Sequence, residues 1–117
     1  MKRVVITGMG IYSCIGKNLD EVKDSLYQGK SGIGFDQDRK DFGYRSGLTG
    51  MSEEPVLKGM ISRRERVQLA EQAKYAYVAT KEAIENAGLT VDELVKAEAG
   101  ILYGNDSSAR AVTEAVD

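Results

Sequence analysis

Cys14 is the one cysteine of this chain, and no histidine accompanies it. That pairing of counts removes internal disulfides, CxxC and histidine metal sites, and any Cys–His or Ser–His couple formed by this chain alone. The Cys14 thiol would act as a nucleophile only if a cation or a helix dipole stabilised its thiolate. Among apolar neighbours and with no imidazole available, it reads better as a small packing residue. Two glycine segments imitate phosphate sites and miss. Gly8-Met9-Gly10 has Ser13 where a dinucleotide turn needs its third glycine, and no helix opens there to receive a pyrophosphate. Gly10 to Lys17 is one residue too long for a P-loop and carries Asn18 in place of the magnesium-binding hydroxyl. Arg63, Arg64 and Arg66 place three guanidinium groups in four positions around Glu65. They read either as a solvated turn before a helix or as a surface for an acidic partner.

The elements that must hold these residues follow from periodicity and punctuation. Val4 to Thr7 is a β-branched run feeding the first glycine turn, and Gly100 to Gly104 is a second run of the same kind. With helical sequence between them, they are predicted to be buried parallel neighbours joined by crossovers, both glycine turns lying on the sheet's ligand-binding edge. Asn18 with Glu21 predicts a helix start, Leu19, Val22 and Leu26 its stripe, and Gly29 its stop. Gly29 to Ser52 is polar and glycine-rich and is expected to be a long excursion with one short strand near Tyr44 to Leu48. Pro55 is placed to begin a helical turn. From about Leu69 to Ala87 small and apolar residues recur every 3.6 positions until Gly88, which predicts the longest helix, and Thr90 with Glu93 predicts a short one after it.

The 117 residues, with 42% apolar and 29% charged content, suit at most one soluble domain. With a net charge of -2, nucleic acid or a membrane surface as partner would need a local basic patch, and the one such patch, the arginine cluster, is small, so neither is expected. No apolar stretch approaches the roughly 20 residues of a membrane span, and the opening run is too short for a signal peptide, so the expectation is a cytoplasmic protein. Two or three strands with three helices cannot cover both faces of a parallel sheet, which predicts the first part of a larger α/β fold.

The segments KRVVITGMGIYSCIGKNLDEVKDSLYQGKSGI, YRSGLTG, the arginine cluster, AYVATKEAIENAGL and GILYGNDSS together resemble the amino-terminal portion of the beta-ketoacyl-ACP synthases. The elongating bacterial type, with VITGMG, GKSGI and NAGL, is most similar, and the likeness runs from Met1 to about Ser108. The resemblance implies the thiolase-like fold, with residues 1–117 an incomplete portion of its first βαβ half. It also implies a decarboxylating Claisen condensation in which a cysteine thiolate takes an acyl group from acyl carrier protein. Malonyl-ACP then loses carbon dioxide, and two histidines with helix-terminus amides stabilise the oxyanion. By the same resemblance, no catalytic residue falls within this chain, and Cys14 does not inherit the nucleophile's role. No cofactor is implied, and the complete enzyme is expected to be a homodimer. Arg63 and Arg66 fall where the family presents basic residues to acyl carrier protein, and Ser107 falls in the turn that walls the acyl pocket. The alternative expectation is a non-catalytic accessory or dimerisation module of the same fold that binds the carrier. A nucleotide-binding module is the third reading and predicts stabilisation by ATP or NAD.

Overall fold

The computed structural model describes residues 2–106. They gather into two compact units, one holding Ile11–Glu53 and the other joining the described residues up to Gly10 with those from Glu54 onward.

The unit Ile11–Glu53 opens with a tight hairpin. Ser13 N donates to Gly16 O at 2.8 Å, and Gly16 N returns a bond to Ser13 O at 3.3 Å. Helix α1 (Leu19–Gln28) follows, with Asn18 as its cap: the Asn18 side chain accepts from Glu21 N at 2.9 Å. The Glu21 carboxylate reaches past the cap and accepts from Lys17 N at 2.8 Å. Gly29, at φ 63, ends the helix, and Lys30 N donates back to Ser25 O at 2.9 Å, a Schellman-type closure. Val22 and Ser25 are the buried residues of α1, and Ser25 Oγ donates to Ile15 O at 2.6 Å, which pins the helix to the hairpin. Leu26, expected on the buried stripe, is exposed.

Strands β1 (Ile33–Phe35) and β2 (Leu48–Gly50) pair antiparallel, with Gly34 opposite Thr49. A short helix, α2 (Gln37–Asp41), lies between them and was not expected; Asp36 caps it by accepting from Asp38 N at 3.0 Å. Gly43 at φ 89 turns the chain back, and Asp36 N donates to Gly47 O at 2.7 Å. Pairing therefore starts after Gly47, which shifts the strand anticipated near Tyr44 to Leu48 to Leu48–Gly50.

In the other unit, Pro55 begins no helix. Pro55 and Leu57 are buried in irregular chain, and Gly59 at φ 88 turns it toward α3 (Arg63–Gln68). Helix α4 (Glu71–Asn86) is the longest element. It begins two residues later than the apolar stripe, because Leu69 and Ala70 are extended. Gly88 at φ 69 terminates the segment, and α5 (Val91–Lys96) carries the expected Thr90–Glu93 capping box.

The parallel pair is corrected by the structure. Neither Val4 to Thr7 nor Gly100 to Gly104 lies in a strand, and the one sheet among the described residues is the antiparallel β1–β2 ribbon. Val4 is 95% exposed, Ile6 84% and Ile101 83%. Strand propensity reports a side chain's fit to a half-buried pleated surface. With no ladder beside them and no cover on their faces, these runs have the composition of buried strands without the structure.

Candidate functional site

Helix α3 brings the arginines together. Ser62 Oγ accepts from Glu65 N at 3.2 Å, while the Glu65 carboxylate accepts from Ser62 N at 2.9 Å. This reciprocal cap satisfies two backbone donors at the helix start and fixes Arg63, Arg64 and Arg66 in helical register rather than in the turn the charge run alone implies. The Ser62-x-x-Glu65 spacing was the available signal for it.

Arg63 and Arg66 both line a cavity of about 810 Å³ built from residues within 54–74. Its other wall is the irregular segment that buries Pro55 and Leu57, the latter only 4% exposed. Lys58 and Lys74 also line it; sequence reasoning passed over both, since only the folding of 54–58 against α3 and α4 brings them to the arginines. Lys74 is neutralised by an ion pair with Glu54. Lys58, Arg63 and Arg66 make no ion pair among the described residues. The Arg66 Nε is shut away from solvent and has no hydrogen-bond acceptor. With Lys74 and Glu54 cancelling each other, Lys58, Arg63 and Arg66 leave the lining net positive, which suits an anionic partner.

Cys14 sits elsewhere, half-buried in the unit Ile11–Glu53. A Cβ placed on Gly32 would lie 2.3 Å from Cys14 O and 2.7 Å from its Sγ; one on Gly50 would lie 3.2 Å from the Sγ. The thiol is thus wedged against the backbone at the start of β1 and the end of β2, a packing position. Beside it is a smaller cavity of about 240 Å³, where Lys17 Nζ and Glu53 Oε2 pair at 2.5 Å. Hydrogen bonding and attraction within this exposed pair raise the Lys17 pKa and lower that of Glu53.

The first glycine turn is likewise used for packing. A Cβ on Gly8 would lie 2.3 Å from Ala83 O, and one on Gly10 would lie 1.9 Å from Ala79 O. Met9 N donates to Asn86 Oδ1 at 3.1 Å. The glycines let the backbone touch α4, which is a different use from admitting a phosphate. Ser107, expected in an acyl-pocket turn, lies outside the described residues.

Known proteins share this sequence closely. The chain is 43% identical over 90 residues to 3-oxoacyl-[acyl-carrier-protein] synthase 1 of Escherichia coli (strain K12), covering 77% of this chain and 22% of that protein. It is 39% identical over 104 residues to the synthase 1 of Haemophilus influenzae, covering 89% of this chain and 25% of the relative. It is 38% identical over 110 residues to the chloroplastic 3-oxoacyl-[acyl-carrier-protein] synthase I of Arabidopsis thaliana, covering 88% and 22%. The chain thus spans about a quarter or less of the length of these relatives. The pattern described as "Beta-ketoacyl synthase, N-terminal domain" matches residues 1–117, and the chain therefore belongs to the beta-ketoacyl synthase family through that domain.

Proposed function

We propose that this chain is the amino-terminal portion of a 3-oxoacyl-ACP synthase of fatty acid biosynthesis, and that by itself it does not catalyse condensation. The observation that carries this reading is the match of the family's N-terminal domain to the full 117 residues, set beside the absence of histidine from them. A condensing enzyme must hold a thiolate to carry the acyl group and polarise the malonyl carbonyl as carbon dioxide leaves. This chain has no imidazole to offer, and its one thiol is packed against Gly32 and Gly50. Both duties fall to residues outside these 117. Its own contribution is the thiolase-like framework and a cationic face, where Arg63 and Arg66 receive the acidic acyl carrier protein.

The complete enzyme is read as a cytoplasmic homodimer that needs no cofactor and meets neither nucleic acid nor membrane. No helix among the described residues is long and apolar enough to cross a bilayer. Ser107 is assigned to the acyl-pocket wall by resemblance alone. The second reading, a non-catalytic module that binds the carrier, draws on the fact that the basic cavity is built entirely by this chain.

The test has two arms. The purified chain, mixed with acyl-ACP and malonyl-ACP, is expected to form no 3-oxoacyl product; turnover would overturn the claim of incompetence. In the binding arm, carrier protein titrated onto the chain is expected to bind with a steep salt dependence. R63E/R66E should weaken it by about tenfold or more, since each reversal converts attraction to repulsion. Unchanged affinity would return the arginines to a solvated helix surface.

A further inference from the structure

The geometry points to Lys58 as a third carrier-binding cation beside Arg63 and Arg66, supplied from the other wall of the 54–74 cavity. This deepens the carrier-protein reading and rests on it. Of the charged side chains on the lining, Glu54 and Lys74 cancel each other, which leaves Lys58, Arg63 and Arg66 uncompensated. Lys58 makes no ion pair among the described residues. It stands exposed, as Arg63 does, whereas Arg66 is half-buried. The two cations most open to a partner therefore come from different elements, Arg63 from α3 and Lys58 from the irregular segment before it.

The chain around Lys58 holds it in place. Leu57, immediately before it, is 4% exposed, and Pro55 is buried too. Met60 N donates to Leu57 O at 3.0 Å, which closes a turn with Lys58 and Gly59 at its centre. Gly59, at φ 88, takes the left-handed position of that turn, where a side chain would be strained. The Lys58 backbone is thus anchored on both sides, so docking has only the lysine stem to order, which keeps the entropic cost low. Its role follows from having charge on two walls. The α3 arginines alone would meet an acidic segment along one helix face. A cation on the facing segment adds a contact from a second element, which steers the acidic partner and fixes how it lies across the cavity.

The experiment titrates fluorescently labelled acyl carrier protein with the full 117-residue chain, followed by anisotropy at several salt concentrations. Lys58→Gln is expected to weaken binding roughly three- to fivefold at low salt, the upper range for one exposed ion pair, and to flatten the salt dependence. Lys58→Arg keeps the charge and should hold affinity within about twofold of the parent. Lys96→Gln, at the end of α5 and away from the cavity lining, removes an equal charge and should leave affinity in place. Equal losses in Lys58→Gln and Lys96→Gln would overturn the proposal, because affinity would then follow net charge alone. So would a loss in Lys58→Arg as large as in Lys58→Gln. An unaltered Lys58→Gln beside a weakened R63E/R66E would also overturn it, while leaving the carrier reading standing. Indifference of carrier binding to every one of these changes would remove the carrier reading itself, and Lys58 with it.

Discussion

Gly10 shows how a residue that invites a functional reading can be explained by contact distance. Its missing Cβ would sit 1.9 Å from Ala79 O and 2.7 Å from Ala83 N. Both are backbone atoms of α4, so no rotamer change can relieve the overlap. Gly10→Ala must push the opening segment off the helix, and overpacking of this kind costs roughly 1–3 kcal/mol. The expected result is a lower urea midpoint for Gly10→Ala than for the parent chain. Gly100→Ala, whose Cβ meets nothing among the described residues within 4 Å, should leave the midpoint in place. Equal effects of the two would show that close approach is not why glycine stands at position 10. Cys14 follows the same logic, because its neighbours Gly32 and Gly50 are defined by how little room the sulfur leaves them. Spacing argues against the near-miss phosphate motifs, but what the glycines do instead is not legible from it. It depends on α4, more than sixty residues away in the chain.

At the scale of elements, the readable parts are those whose signals are local. Asn18 and Gly29 bracket α1, Gly88 closes the α4 segment, and Thr90 with Glu93 opens α5; each is a side chain or a left-handed turn acting within four residues. Helix α3 carried the same kind of signal in Ser62 and Glu65. It reads as a turn because Val67 is the only large apolar residue between Arg63 and Gln68, too few to make a stripe. The two β-branched runs failed for the opposite reason: composition was strong, but strand formation needs a partner that no local signal supplies.

The capping boxes also carry a pH dependence. Bonds from the Ser62 hydroxyl and backbone N–H lower the Glu65 pKa, and bonds from the Thr90 backbone N–H and hydroxyl lower that of Glu93. A carboxylate whose folded pKa is depressed contributes stability above its unfolded value, about 4.3 for glutamate, and loses it as pH falls through the folded value. Helicity from α3 and α5 should therefore hold from neutral pH down to about 5 and fall below about 4. In E65Q/E93Q the acid limb of the circular-dichroism signal at 222 nm should be shallower, because the amide retains part of the cap without titrating. An identical acid limb in parent and variant would show that these two caps are not the groups being protonated.

At the scale of the whole molecule, what matters is how little apolar surface is covered. Among the described residues, Val22 and Leu57 are the buried hydrophobic side chains, while Val4, Val5, Ile6, Ile101 and Leu102 stand largely in water. Isolated exposed apolar residues are ordinary in folded proteins, but consecutive runs of them mark surfaces that other material covers. Under the proposed function, that material is the remainder of a condensing enzyme whose relatives are about four times as long. Val4 to Ile6 and Ile101 to Leu102 are then surfaces that this remainder would cover. The chain alone is expected to enhance the fluorescence of an apolar dye such as ANS at neutral pH. It should also sediment above its 12.7 kDa monomer mass and unfold without a sharp transition. A monomer that excludes the dye and melts cooperatively would instead show that these runs are tolerated at the surface of a self-sufficient module. Carrier binding at Arg63 and Arg66 would then be the chain's own activity rather than one part of a larger catalyst's.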